Sequence, residues 1–224
     1  MASSIEFYYM PESPPCRAVE MVASLVGVSL NKHYINLFTK EHLKDDYVKI
    51  NPLHKVPFIV DGDVKMGESR AILMYLVNKY KPNDEHLYPK DPAKRAQVDE
   101  LLFYDIGTLF AAQSKLLRPK IFGPVKELNG DDEKAYRECL HYLDKRLGES
   151  GGKGYMLGDH FTIADVSLAA TFTFAAACEY DLSEFKNLVA YLERMKSAIP
   201  NYGAINDKPV ETMTKFIRSR QEAS

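Results

Sequence analysis

Ser13 lies three residues before Cys16 in the stretch Met10-Pro11-Glu12-Ser13-Pro14-Pro15-Cys16-Arg17. This is the spacing of a redox Cys-x-x-Cys pair whose outer, nucleophilic thiol is exchanged for a hydroxyl. Dithiol exchange is closed to such a pair. The hydroxyl can instead donate a hydrogen bond to a thiolate that belongs to a ligand, favouring its ionised form. A free thiol has a pKa of about 8.5, so only a few per cent is ionised at neutral pH. The plain alternatives are a turn or N-cap serine, and a small buried apolar cysteine. Val56-Pro57 follows His54 and Lys55 and precedes a short apolar run. A cis bond there leaves the Val56 N–H and C=O to pair with an extended peptide ligand; a trans loop proline is the ordinary case. Glu68-Ser69-Arg70 opens a helix after a hairpin. Glu68 suits an ammonium, and Ser69 at a helix N-terminus suits a carboxylate. Arg70 suits a carboxylate or a reach across a dimer interface, and capping with a solvated face is the plain reading of the trio. His42 and His54 stand singly, and no Cys/His cluster has metal spacing, so no metal is expected.

The elements around these residues follow from periodicity. Ile5 to Tyr9 reads as a strand, and a helix from about Pro15 stops at Gly27. This strand–turn–helix is expected to present backbone N–H groups, with Ser13, to an anion. Leu30 to Leu37 reads as a second strand, and Thr39 to Ile50 as a helix with Leu43, Tyr47 and Ile50 on one face. Phe58 to Asp61 and Val64 to Met66 form a hairpin across Gly62-Asp63, and a helix begins near Gly67. Beyond the proline-rich stretch from Lys81 to Pro92 no clear strand pattern appears. Ala93 to Leu117 reads as one long helix with a bend at Gly107, interrupted by Arg118-Pro119 and Gly123-Pro124. Further helices span Asp131 to Leu147, an apolar stretch behind the Thr162-x-x-Asp165 capping box, Leu182 to Ile199, and Asn206 to Arg220. Gly151-Gly152-Lys153-Gly154 reads as a plain connection, and no phosphate-binding glycine loop is found. The expected fold class is α/β followed by all-α: a thioredoxin-like unit (βαβ-αββα, mixed four-stranded sheet) at 1–83, a linker at 84–90 and a helical bundle at 91–224.

Composition narrows the classes. The chain has 224 residues, 46% of them hydrophobic, and a net charge of −2, which suits a folded core and disfavours nucleic acid as a partner. Three scattered cysteines argue against a disulfide framework. The first residues show no secretory pattern, and no run is apolar enough to span a membrane. A cytoplasmic protein is expected.

The thiol donor, the backbone clamp and the ammonium and carboxylate clamp occur in that order. Glutathione carries the matching set: one thiol, peptide bonds, one ammonium and two carboxylates. On Tyr8 to Val19, Glu41-His42-Leu43-Lys44, Asn51 to Pro57, Glu68 to Ile72, Leu87-Tyr88-Pro89, Asp105 to Leu109 and Thr162 to Asp165, the whole chain resembles a cytosolic glutathione transferase of the insect-type delta class, with the epsilon class near. The resemblance implies Ser13 as the catalytic serine. It implies His42, His54, Lys55, Val56, Pro57 (as a cis-proline), Glu68, Ser69 and Arg70 as the glutathione site. An electrophile pocket between the domains would use Pro14, Tyr104, Phe110, Leu117, Arg118, Phe122 and Phe216. It further implies glutathione as co-substrate without another cofactor, small hydrophobic electrophiles, detoxification and a homodimer.

Three departures bear on this. Glu12 stands where glycine is usual; a carboxylate facing the sulfur would oppose ionisation, so it is expected to point outward. Gly67 replaces an aromatic residue and is expected to loosen packing. Leu117 and Arg118 replace aromatic residues of the pocket and put the usual substrate range in question. A non-enzymatic carrier of apolar ligands is the rival reading. A glutaredoxin-like oxidoreductase would need a cysteine at position 13, and peroxidase activity stays open.

Overall fold

The computed structural model describes residues 4–122, 127–149 and 154–222. β1 (Ile5–Tyr9) buries Ile5 and Phe7 on one face, the period-two pattern of a half-covered strand. α1 (Pro14–Leu25) lays Cys16, Val19, Met21 and Val22 into the core and is followed by Gly27 at φ +74°, a conformation glycine adopts freely. β2 (Leu30–Tyr34) runs parallel to β1. β3 (Phe58–Asp61) is antiparallel to β1, and β4 (Val64–Met66) is antiparallel to β3. The sheet order β2-β1-β3-β4 is that of the expected thioredoxin-like unit. α3 (Ser69–Tyr80) packs against α1.

Two expectations in this half are corrected. The second strand ends at Tyr34, not Leu37; its last bond to β1 runs from the Ile35 N–H to the Tyr9 carbonyl at 2.8 Å. The helix expected over Thr39 to Ile50 is instead a 3-10 turn at Glu41–Leu43 and the short α2 (Asp45–Val48). Lys40 at φ +60° and Lys44 in an extended conformation (φ −76°, ψ +147°) break the helical path, and Leu43 is left exposed.

The second half is helical. α4 (Pro92–Tyr104) is capped by Asp91, whose side chain accepts from the Lys94 N–H at 2.9 Å. A π-helical turn at Asp105–Leu109 joins it to α5 (Phe110–Phe122). Pro119 does not end α5, as the sequence suggested, but sits inside it. Its missing N–H costs only the bond to the carbonyl of Lys115, an exposed residue. Gly123-Pro124 and Gly151-Gly152-Lys153 lie outside the described residues. α6 (Gly130–Glu149) continues through Gly148, and α8 (Lys186–Ala198) starts later than expected. A second π-helical turn at Gly203–Asp207 leads into α9 (Lys208–Glu222).

α7 (Ile163–Ala177) is the spine of the molecule. It packs against α1 of the sheet half and against α4, α8 and α9 of the helical half. The capping box fixes its start: Thr162 Oγ1 accepts from the Ala164 N–H at 3.2 Å, and Asp165 Oδ2 accepts from the Thr162 N–H at 2.8 Å. The connection between the halves is docked against them. Leu87 and Tyr88 are buried, the Ile163 N–H donates to the Leu87 carbonyl at 3.0 Å, and the Arg95 guanidinium stacks over the Tyr88 ring at 4.4 Å. Among the described residues, no helix is long and apolar enough to cross a membrane.

Candidate active site between the sheet and the helices

A cleft of about 430 Å³ lies where the two halves meet. It brings together Ser13, Pro14, His42, His54, Lys55, Val56, Pro57, Glu68, Ser69, Arg70, Phe110, Arg118 and Phe122. The first half supplies one end of it and α5 the other.

Ser13 is the N-cap of α1, but its side chain makes no capping bond. The turn around it is more sparing than the sequence suggested. Pro14 and Pro15 carry no N–H, and the first amides of the helix, on Cys16 and Arg17, both donate to the Ser13 carbonyl at 3.0 and 3.1 Å. The Ser13 N–H donates to the Met10 carbonyl at 3.0 Å. The expected cluster of free backbone N–H groups is therefore missing, because prolines occupy its first positions and the rest are spent. What remains for an anion is the Ser13 hydroxyl and the helix dipole. Cys16 is fully buried, and burial pushes its thiol up to about 12, so it stays protonated and unreactive.

The Val56–Pro57 bond is cis. The Lys55 carbonyl before it accepts from the Tyr47 hydroxyl at 2.6 Å and from Asn51 Nδ2 at 2.8 Å. Val56 itself makes no hydrogen bond among the described residues, so its N–H and C=O are free to pair with a ligand. His54, at φ +44°, closes the same loop. His42 lies 6.5 Å from it, ring to ring, with Nδ1 buried and unpartnered. Burial, and then the His54 charge, hold His42 below its ordinary 6.5. A base whose folded value is lowered contributes its full stability above the unfolded value and loses it as pH falls through the folded one. The unliganded protein is therefore expected to lose stability as pH drops below about 6.5, and His42→Gln to flatten that limb. Thermal midpoints across the acid range check this; identical profiles would contradict it.

Glu68 adopts φ +60° and ψ +94°, unusual for a residue with a Cβ, at the N-terminus of α3. The Ser69 and Arg70 side chains behind it are buried. Arg70 differs from its expected role. Its Nε and Nη2 donate to Asp105 Oδ2 at 3.1 and 2.6 Å, and its Nη1 donates to Ser69 Oγ at 2.9 Å. The guanidinium is thus paired with a carboxylate of the same chain at the wall of the cleft. Asp105, fully buried, also accepts from Ser167 Oγ at 2.5 Å and from Thr171 Oγ1 at 2.8 Å. This cluster joins α3, the π-helical turn and α7.

Three expected pocket residues stand outside the cleft. Tyr104 precedes the π-helical turn and faces α6, its hydroxyl donating to the Cys139 carbonyl at 3.4 Å. The extra residue of that turn shifts the register, so Ile106 and Phe110 face the cleft instead. Leu117 is fully buried on the core side of α5 with Gln113 and Leu116, beside the stripe of Phe110, Ser114, Arg118 and Ile121 that lines the cleft. Phe216 stands behind Phe38, ring centroids 4.4 Å apart. Phe38, which sequence reasoning missed, is wedged between Phe216 and Phe122 (5.8 Å) and closes the apolar end. Phe174 and Met213 add to that end. Gly67 also lines the cleft; a Cβ there would meet Phe58 at an ordinary 3.6 Å.

Glu12 was expected to point outward, but it lines the cleft, with Oε2 buried and without a hydrogen-bond partner. Arg17 sets its backbone. That guanidinium is buried and donates to the Glu12 carbonyl at 2.8 Å, the Pro11 carbonyl at 3.2 Å, Asn206 Oδ1 at 2.7 Å and Thr173 Oγ1 at 3.1 Å. Burial lowers it to about 10, and it remains a cation at neutral pH. Arg17 thus ties the Ser13 turn to α7 and to the second π-helical turn. The signal in the sequence was a charge on the apolar face of α1, among Ala18, Val19 and Met21.

A thioredoxin-like sheet, a hydroxyl where a redox thiol would stand and a helical wall opposite meet at this cleft. The description "Glutathione S-transferase, N-terminal domain" matches residues 7–84, and "Glutathione S-transferase, C-terminal domain" matches residues 125–194. A Nilaparvata lugens delta-class glutathione transferase is 36% identical, covering 96% of this chain and 99% of its own, with a TM-score of 0.89. An epsilon-class enzyme from the housefly Musca domestica is 32% identical, with 96% and 98% covered and a TM-score of 0.86. A Drosophila mojavensis homolog solved with bound glutathione is 29% identical, with 96% and 97% covered and a TM-score of 0.85. The chain belongs to the glutathione transferase family and is an enzyme of the glutathione-transferring type.

Proposed function

We propose that glutathione lies along the sheet end of the cleft with its sulfur at Ser13. The observation that carries this is a serine hydroxyl that lines the cleft, makes no capping bond, and is flanked by backbone amides that are absent or spent. The hydroxyl donates to the sulfur and favours the thiolate. The peptide backbone pairs with Val56 beside Pro57. Glu68 takes the γ-glutamyl ammonium, Ser69 and the unspent amides that open α3 take its carboxylate, and His42, His54 and Lys55 face the glycyl end. Arg70 holds Ser69 in place and leaves the ligand to it. The relative solved with bound glutathione supports this reading.

The far end, with Pro14, Phe38, Phe110, Arg118 and Phe122, takes a small electrophile. The thiolate sulfur forms the new carbon–sulfur bond, and the leaving group or the displaced electron pair departs from the attacked carbon. No metal or further cofactor is needed for that step. We read the chain as a cytoplasmic homodimer acting in detoxification, divided at 1–83, 84–90 and 91–224. The exposed Phe103 on α4 supports an interface there. No observation favours the carrier alternative.

The clamp and the sulfur site separate kinetically. Ser69→Ala is expected to raise the KM for glutathione roughly tenfold, the worth of one hydrogen bond to a charged group, while kcat at saturation changes little. Steady-state conjugation of a reactive aryl halide measures both. An unchanged KM removes Ser69 from the clamp, and tight apolar-ligand binding without turnover would favour the carrier.

A further inference from the structure

A second meeting of chemistry-bearing side chains lies away from the cleft. His86 belongs to the connection between the halves, and His160 to the turn that leads into α7. Both are exposed, and their ring centroids stand 4.3 Å apart with the planes at 55°. Among the described residues neither ring makes a hydrogen bond or an ion pair. The backbone around them is fixed. The Ile163 N–H donates to the Leu87 carbonyl at 3.0 Å, and Leu87 and Tyr88 are buried. The His86 and Leu87 N–H groups donate to Asp84 Oδ1 at 3.2 and 3.1 Å, and Asp84 Oδ2 is paired with Lys81 Nζ at 3.0 Å. Glu85 and Asp159, exposed carboxylates, each adjoin one of the histidines in the sequence. The two segments are far apart along the chain, so residue spacing gave no sign of the pair.

We propose that His86 and His160 form a two-histidine clasp for a divalent transition-metal ion of the nickel or copper kind, which fastens the connection to the start of α7. Neutral imidazole is a good ligand for such ions, and each ring has a nitrogen with a lone pair to give. Two imidazoles bound side by side on an octahedral or square-planar ion, with metal–nitrogen bonds of about 2.1 Å, hold their centroids about 4.5 Å apart. The pair already stands close to that separation, so little ring movement is required. The docked backbone lowers the ordering cost further, because both loops are held in place before an ion arrives. The flanking carboxylates make the surroundings favourable to a cation. Among the described residues no set of three or more His, Cys, Asp or Glu could hold a metal ion, so water fills the remaining positions and the ion exchanges readily. The His42 and His54 rings, 6.5 Å apart, are too widely spaced for the same side-by-side binding. An ion on the clasp binds the folded chain and stabilises it by mass action.

The test is thermal unfolding of the full chain titrated with Ni²⁺, in the absence of glutathione. The parental midpoint is expected to rise by roughly 5–10 °C once free Ni²⁺ exceeds its dissociation constant about a hundredfold, and to fall back when a chelator is added. His86→Gln and His160→Gln are each expected to lose most of that rise, while their midpoints without metal stay close to the parental one, since both rings are exposed. The double variant His42→Gln, His54→Gln is expected to keep the rise. No rise in the parent, a rise that survives in either single variant of the clasp, or a rise lost with the cleft pair would overturn the proposal. Nuclear magnetic resonance gives a second readout that does not depend on stability. Substoichiometric Ni²⁺, which is paramagnetic, is expected to broaden the imidazole C–H signals of His86 and His160 together before those of the other four histidines. Broadening of one ring without the other would mark a single surface histidine and would equally overturn the clasp.

Discussion

Ser13→Ala is expected to bind glutathione with little change and to conjugate it roughly twentyfold to thirtyfold more slowly at pH 7, the gain in thiolate from lowering a thiol pKa from about 8.5 to about 6.5. The size follows from how little else is available at this turn. Pro14 and Pro15 lack N–H groups, and the Cys16 and Arg17 amides are spent on the Ser13 carbonyl. Glu12 lines the same cleft, and its charge works against a second anion nearby. The deficit should shrink as pH rises past about 8.5, because the thiol then ionises unaided. A pH series of kcat/KM for parent and variant shows this convergence. A variant as fast as the parent at pH 7, or one that lags by the same factor at every pH, contradicts the role.

Asp105→Ala is expected to be the most damaging single change to stability. It leaves the buried Arg70 guanidinium with only Ser69 and strips Ser167 and Thr171 of their acceptor. Removing one partner of a buried pair costs about 3–5 kcal/mol, since the other charge stays uncompensated. For a chain of this size that corresponds to a fall of roughly 6–20 °C in thermal midpoint. The damage also reaches the cleft, because Arg70 positions Ser69 and stacks on Phe110 at 5.6 Å. Asp105→Asn should fall between the two, keeping an acceptor oxygen but adding an N–H that faces donors. Thermal unfolding of the three proteins checks the order. Equal midpoints would show that the cluster is not needed to join the halves.

Local signals were legible in the sequence; couplings between distant residues were not. The β-branched and aromatic residues of Ile5 to Tyr9 and the Thr162–Asp165 cap are written in adjacent residues, and both elements stand in the structure. The Ser13 turn is likewise visible, but the exhaustion of its amides follows from two prolines read together with the bonds of Cys16 and Arg17. The π-helical turn at Asp105–Leu109 has no periodic signature, and it moved Tyr104 out of the cleft and Ile106 into it. Arg70 and Asp105 are 35 residues apart, so nothing local announced that the arginine was already occupied. Glu12 was misjudged by a sound electrostatic argument applied to a side chain whose backbone is held by Arg17. Phe38 belongs to a loop that periodicity does not describe, and only the approach of α5 and α9 gives it a place.

The role proposed for Ser13 is the ionisation of a borrowed thiol by one hydroxyl. Ultraviolet titration of the thiolate in the glutathione complex measures that directly, in the parental protein and in Ser13→Ala. The parent should ionise bound glutathione with a midpoint well below that of the free thiol, near 6.5 if the shift is about two units, and the variant should return it close to about 8.5. A parental midpoint no lower than that of free glutathione, or a variant as low as the parent, would contradict the account.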